Sequence, residues 1–587
     1  MNSVSVAQAA QALAQHYGLF GVFKAMPGEH DTNFLLMLAG NQRCAFKLHP
    51  AGFAPEQADL QASALKHLAQ TASHLPVQRL LLAKDGVSLP VWQGRQLRLT
   101  SWLEGEVWAS QRPIDTESFA RSATSLGHML AELDLALAGF THPAARRDYL
   151  WDMAQARQHL AHLGYIDDAA KRQAVAAILQ RFVSETAPRL ANAPRQVIHN
   201  DANDHNVLLD AQGCVNGLID FGDMVYSYRV AEVAVACAYA LIGSSDPLAV
   251  VEALVTAYHA VNPLNEAEID SVYDLILTRY AISMCMAARQ IREQPQNRYL
   301  LISQQDVWRE TQTLLAAKRR MGRACLRVAC GFEPVQARRS IVDWLQTQEC
   351  AALLDRSMAL DDLLLQPLDA AALRPYTSLQ AYDAAMRAKA NGRTLVGCYG
   401  EDRVIYTWPE FAAANGAQAR TVHLGVDLRG ELSECVMAPL AGHVAEIANE
   451  SIEGGFGGLL ILQHSTDNGT PFWTLYGHLS PDSLLGLEPG QRVEKGQVLA
   501  RLGGLDDNGG WPAHLHFQIL TDRLDCSAIE TPGVAARRQW PLWRSVCPDP
   551  NLILRLPLNV AQVVEADPAP LLARRRKHLG KALSLAY

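Results

Sequence analysis

The chain contains no CxxC pair. Its eleven cysteines are scattered and odd in number, and the closest two, Cys325 and Cys330, have no flanking ligand cluster. That pattern reads as a reduced, cytoplasmic protein. Long apolar runs are missing as well. No stretch reaches the roughly eighteen apolar residues a transmembrane helix needs. The most apolar candidate, VAEVAVACAYALIG, is interrupted by Glu232 and reads as a buried core helix. No membrane partner is expected. The opening MNSVSVAQAAQALAQHYGLF lacks the basic n-region of a signal peptide and reads as an amphipathic helix. An excess of positive charge is also absent: the net charge is −8 and the pI about 6.2, so no nucleic-acid partner is expected.

What is present is length and apolar content. At 587 residues and 49% apolar composition, the chain is sized for several domains, each with its own core. Residues 20–105 alternate apolar and polar residues around turns (NFLLMLAG, CAFKLHP, LRLTSWLEG), with one helix inserted, QADLQASALKHLAQ. That predicts an antiparallel sheet. Residues 115–190 and 230–325 are helical, with short strands near 197–199 and 206–220. Residues 326–395 read as a connecting segment. From 396 to 530 glycine becomes frequent and strands short, which predicts an all-β domain. Residues 531–587 read as a linker with a basic end, ARRRKHLGK. The expected fold is multidomain: an α+β protein-kinase-like domain over 1–325 (small lobe about 1–105, helical large lobe about 106–325), then the all-β domain.

The first chemical constellation is VIHNDANDHNVLLD followed by GLIDFGD. Phosphoryl transfer needs a carboxylate to orient the attacking hydroxyl and oxygen ligands for Mg²⁺. Asp201 stands in the base position of an H-x-D loop. Asn206 and Asp220 are placed to hold Mg²⁺, and His199 to support the loop. Asp223 and Asp204 lie near the base and suit a cationic acceptor. Trp151 and Asp152, in YLWDM, offer an aromatic wall and a carboxylate for an ammonium.

These motifs resemble the aminoglycoside phosphotransferase and choline kinase superfamily, more narrowly its hydroxylysine-kinase-like branch, over about residues 1–325. By that resemblance the turn GEHDTNF is the nucleotide loop and Lys47 grips the phosphates of ATP or GTP. The expected acceptor is the hydroxyl of a small amino alcohol or hydroxylated amino acid. One departure stands out. Such kinases pair the lysine with a glutamate on the inserted helix, where apolar spacing here puts Gln61, with Glu56 and Asp59 one or two turns earlier.

The second constellation is TVHLGVDLRG, WTLYGHLS and WPAHLHFQI. Residues two apart on a strand share a face, so His514 and His516 point into one cleft. His423 and Asp427 converge across a turn or bulge. One Asp and two His leave an open position on zinc, as in a catalytic site. The segment 396–530 resembles the lysostaphin-type, LytM-like, zinc endopeptidases. The resemblance implies His423, Asp427 and His516 as Zn²⁺ ligands, with His478 and His514 acting on the water-derived nucleophile and the oxyanion. That family works outside the cytoplasm, so cell-wall cleavage does not follow here.

The tail LLARRRKHLGKALSLAY resembles the opening of class III pyridoxal-phosphate (PLP) aminotransferases and phospho-lyases. It implies a longer fusion, homodimeric, with PLP held only in a C-terminal domain absent from this chain. Three functions compete: a small-molecule kinase feeding PLP-dependent elimination, a zinc hydrolase with a regulatory kinase-like domain, or a non-catalytic organiser for the PLP enzyme.

Overall fold

Alternation of apolar and polar residues between Gly21 and Ser101 builds a six-stranded antiparallel sheet. Its order is Gly21–Met26, Thr32–Leu38, Arg43–Leu48, Arg95–Ser101, Leu80–Leu81, with Val91–Trp92 also on Arg95–Ser101. The computed structural model describes residues 4–26, 28, 31–293, 304–406, 411 and 419–562. The chain divides into two units, Met1–Phe332 and Glu333–Tyr587.

In the first unit, Phe34, Leu36, Cys44, Phe46 and Leu48 are buried on one sheet face with Leu13 and Tyr17 of the helix Val6–Tyr17. Period-two alternation therefore turns Lys47 to the opposite face. The inserted helix Pro55–Thr71 starts with proline in its first turn, where no donor is lost. Its Leu60, Ala64, Leu65 and Leu68 join the core of the helical lobe. There Thr116–Leu137 packs on Pro247–Val261. Gly127 permits that approach, since a Cβ on it would stand 2.3 Å from the Leu254 carbonyl oxygen. The apolar segment that the sequence marks as a core helix is Arg229–Ala240, buried from Val230 onward, Glu232 included.

The second unit is strand-rich. Its eight-stranded sheet runs Leu363–Leu365, Thr394–Gly397, Val426–Arg429, His514–Leu520, Pro471–Leu479, Gly457–Ser465, Gly442–Glu450, Arg492–Val493. The first two strands correct the reading of 326–395 as a connecting segment. Ile341, Leu345, Leu353, Leu354, Leu363 and Val396 are buried in the same core as the sheet. Elements of three or four residues are too short to show a period in sequence. Residues 531–562 are likewise not a linker. Val534–Ala536 pairs with Arg420–His423, and Ile553, Leu556 and Val560 are core residues. The tail from 563 on, including the phrase read as PLP-enzyme-like, lies outside the described residues. Among described residues no helix is long and apolar enough to cross a membrane.

Candidate active sites

The strand Arg195–Ile198 pairs with Val225–Tyr228, and the hairpin Val207–Leu209/Val215–Leu218 follows the H-x-D loop. His199 is fully buried at the base of that loop. Burial brings its pKa down to about 4, so it is neutral near pH 7. Its Nε2–H donates to the Ile219 carbonyl at 3.1 Å, and its Nδ1 accepts the Asp201 N–H at 3.3 Å. Both hydrogen bonds tie it to the loop and the strand behind it.

Asp201 is ringed by donors. Asn206 Nδ2 lies 2.7 Å from its Oδ2, Asn203 Nδ2 lies 3.0 Å from its Oδ1, and Arg279 Nη2 also lies 3.0 Å from Oδ1. Burial raises the Asp201 carboxyl well above the usual range and Asp223 adds to it, while Arg279 opposes. Because the Asn206 NH₂ is spent on Asp201, also reaching its carbonyl at 3.0 Å, its Oδ1 is the atom available to a cation. Asp220 follows the strand Val215–Leu218 with φ at +62°. Lys47 Nζ, 3.7 Å away, holds its carboxyl below the ordinary range against burial. Amide and carboxylate oxygens of this kind fit Mg²⁺, a hard cation that keeps several waters.

The lysine's partner is not on the inserted helix. Lys47 Nζ lies 2.9 Å from Asp31 Oδ2, and Asp31 Oδ1 takes His49 Nδ1 at 2.9 Å. Gln61 instead accepts a hydrogen bond from buried Arg98. Asp31 belongs to the predicted nucleotide turn, of which Glu29 and His30 lie outside the described residues.

Of the acceptor residues read from sequence, only Asp223 stands beside the base, taking the Tyr149 hydroxyl at 2.5 Å. Three corrections follow. Asp204 is 7% exposed and ion-paired with Arg112 at 2.5 Å. Asp152 is buried as the cap of the turn Met153–Tyr165 and takes the Ser227 hydroxyl at 2.5 Å. The cation over the Trp151 ring is Arg279, 4.6 Å from its centroid. Near loops, acidic residues serve as caps and ion-pair partners as readily as ligands. Arg279 and Tyr149 went unnoticed in sequence; neither carries a local signal.

In the second unit, the register sets Asp427 opposite His516 and Arg429 opposite His514. Three donor atoms converge. His423 Nε2 is 3.0 Å from His516 Nδ1 and 3.2 Å from Asp427 Oδ1, which lies 3.1 Å from His516 Nδ1. Tetrahedral zinc with bonds of about 2.0–2.1 Å separates its ligands by about 3.3 Å, so this triangle fits zinc. The remaining ring nitrogens are engaged as metal-bound histidines require. His423 Nδ1–H donates to the Cys398 carbonyl at 2.8 Å, and His516 Nε2–H to Gln518 Oε1 at 3.1 Å. Gly425, between His423 and Asp427, leaves room for the His516 ring: a Cβ there would stand 2.6 Å from it.

Arg403, buried between Glu401 and Asp427, binds Asp427 Oδ2 at 2.6 Å and so leaves Oδ1 to face the histidines. Burial works against the Asp427 charge, yet His423 and Arg403 hold its carboxyl well below the usual range. The His478 and His514 rings lie 4.2 Å apart, tilted by 34°, beside the triangle. Their Nδ1 atoms donate to the Asn508 and Pro512 carbonyls at 3.1 and 2.7 Å, which leaves each Nε2 as an acceptor. Burial brings His514 down to about 4; Asp427 opposes this and Arg429 adds to it. The five residues line an open cleft of about 1120 Å³.

A two-lobed, kinase-like α+β fold with an H-x-D loop, followed by a strand-rich unit with a His–Asp–His triangle, defines a phosphotransferase-type domain joined to a zinc-peptidase-type domain. Comparison with known proteins agrees. Residues 23–270 match the phosphotransferase enzyme family APH, and residues 421–528 match peptidase family M23. The chain thus carries an APH phosphotransferase domain followed by an M23 peptidase domain. The first family implies a nucleotide and Mg²⁺, the second zinc. Hydroxylysine kinase of Mus musculus is 29% identical over 232 residues, 37% of this chain and 60% of that protein. Hydroxylysine kinase of Danio rerio is 26% identical over 51% of this chain and 88% of its own length. An uncharacterized metalloprotease of Haemophilus influenzae is 30% identical over 19% of this chain, which spans only 22% of that relative.

Proposed function

We propose that the first unit transfers the terminal phosphoryl group of ATP or GTP to the hydroxyl of a small amino alcohol or hydroxylated amino acid. The reading rests on one observation: Asp201 is fixed by Asn203, Asn206 and Arg279 in the loop that also presents Asn206, one of the two Mg²⁺-type ligands. Asp201 orients the acceptor hydroxyl and takes its proton as the oxygen attacks phosphorus. Lys47, held by Asp31, binds the phosphates. A Mg²⁺ held by Asn206 and Asp220 supplies charge neutralisation on them. Asp223 with Tyr149 suits the acceptor's ammonium. The names of the two kinase relatives point to a hydroxylated amino acid, and use of a nucleoside triphosphate fits the cytoplasm. Phosphorylation turns a hydroxyl into a leaving group, so the product suits PLP-dependent elimination in a following module. A coupled assay over amino alcohols and hydroxy amino acids tests this. Turnover no greater than that of Asp201→Asn for every acceptor would defeat it.

A second reading has its own support in the His423–Asp427–His516 triangle. The second unit would be a zinc-dependent amide hydrolase, with one position on zinc left for water. Chelator-sensitive peptide cleavage, lost in His514→Ala, is its signature. Purified protein without stoichiometric zinc would count against it.

A further inference from the structure

One charged group in the zinc cleft has no part in either reading. On the strand Val426–Arg429, Asp427 and Arg429 share a face, and the register opposes them to His516 and His514. Arg429 therefore stands one two-residue step from the metal-side carboxylate, about 6.6–6.8 Å along the strand. An extended residue spans about 3.3–3.6 Å, and a guanidinium–carboxylate hydrogen bond adds about 2.8 Å. A guanidinium on the metal-facing side of that strand, one step from the metal-side carboxylate, suits a substrate whose free carboxylate lies about one residue beyond the reacting carbonyl.

Arg429 is held, not buried away. It pairs with Asp383 of the helix Leu379–Ala390, in the cleft wall, with side-chain exposures of 15% and 11%. Asp383 has two further donors: Arg387 Nε at 2.8 Å and Gln366 Nε2 at 3.3 Å. It keeps these two donors when Arg429 turns to another carboxylate, so its charge is not left bare. Helix and arginine partner come from residues N-terminal to the 421–528 match. The sheet order puts the opposite polarity across the centre. Beyond the strand His514–Leu520 the lining carries Glu450, at the end of Gly442–Glu450, and Glu453. In the sheet order Arg429 stands on one side of the strand His514–Leu520 and Glu450 on the other.

We propose that Arg429 is the carboxylate-reading residue of the zinc cleft, which takes short peptides or amides cleaved one residue from a free carboxylate end. This rests on the zinc-hydrolase reading of the second unit. In the reaction water's oxygen bonds to the carbonyl carbon and the C–N bond breaks. The proton water gives up leaves on the amine, and nothing is oxidised or reduced. The substrate's ammonium end lies toward the glutamates.

The test uses the zinc-loaded full chain with trialanine and trialanine amide. The free acid is expected to be cleaved with kcat/KM at least about tenfold above the amide, the loss of a charge-assisted pair. Arg429→Met should bring the ratio toward one with zinc content and melting temperature kept, and Arg429→Lys should restore part of it. Equal cleavage of acid and amide by the wild-type chain overturns the role of Arg429 alone, as does a preference that survives Arg429→Met. If the zinc-loaded protein cleaves neither peptide, the hydrolase reading falls and the proposal with it.

Discussion

The guanidinium of Arg279 lies 3.0 Å from the carboxylate of Asp201, 78 residues earlier, with its other faces against Trp151 and Tyr239. Asp201 shares its surroundings with Asp220 and Asp223, which repel its charge, and Arg279 is the cation paired with it. Arg279 both orients the base and offsets that repulsion. Arg279→Met is expected to lower kcat about 10²–10³-fold, within the range of a general-base contribution, with the nucleotide KM little changed. Arg279→Lys should recover part of kcat. A loss confined to KM would assign the residue to acceptor binding instead.

The lysine clamp gives a second pair of outcomes. Lys47 is fixed by Asp31, whereas Gln61 serves Arg98. Asp31→Asn should therefore raise the nucleotide KM several-fold. Gln61→Ala should leave KM alone and destabilise the fold by about 1–3 kcal/mol, since buried Arg98 loses an acceptor. Burial opposes the Asp31 charge, but His49 and Lys47 hold its carboxyl below the unfolded value near 3.8. Its stabilisation is complete above that value and is lost as pH falls below it. Acid unfolding of Asp31→Asn should accordingly lie closer to that at neutral pH than wild type's does. Urea melts at pH 7 and pH 3 measure this.

Both constellations were legible because their geometry is local. An H-x-D loop and a strand ending in Asp220 keep their spacing whatever surrounds them. His514 and His516 share a face because strands have a period of two. Arg279, Arg403 and Gln518 were not, because what they touch is set by packing. Arg279 reaches Asp201 across 78 residues, and Gln518 reaches Pro532 across 14 residues and Cys547 across 29. The protein partners of Asp204 and Asp152 were hidden for the same reason: Arg112 and Ser227 lie far along the chain. Strands such as Leu363–Leu365 are shorter than any period that could reveal them.

Glu232 makes stability depend on pH. It is fully buried under the H-x-D loop and accepts the Asn200 N–H at 2.8 Å. Burial raises its carboxyl to about 7, against the backbone hydrogen bonds that lower it. The folded value exceeds the unfolded one near 4.5, so the folded chain keeps its proton longer. Stability is full below the unfolded value and falls as pH rises through about 7. Glu232→Gln cannot ionise and keeps an acceptor for Asn200. Its melting temperature should match wild type at pH 5 and exceed it at pH 8, by about 2–4 °C per kcal/mol. Parallel melting curves across that range would remove Glu232 as the titrating group.

Gln518 tests the zinc centre without itself being a ligand. It is buried in the strand His514–Leu520, its Nε2 donating to the Pro532 carbonyl at 3.3 Å and to Cys547 Sγ at 3.1 Å. Those bonds fix which way the amide faces, and so aim Oε1 at His516 Nε2. A proton kept on Nε2 leaves the Nδ1 lone pair for the metal, whereas a proton on Nδ1 blocks it. Gln518→Leu matches the shape but removes the acceptor, and zinc affinity should fall about 10–100-fold. His423→Ala, which removes one of three ligands, should fall further. Competition with a chromophoric chelator reads both, and circular dichroism checks that the sheet persists. Affinity unchanged in Gln518→Leu would mean that the His516 tautomer is set by the metal alone, and that Gln518 is only a core residue.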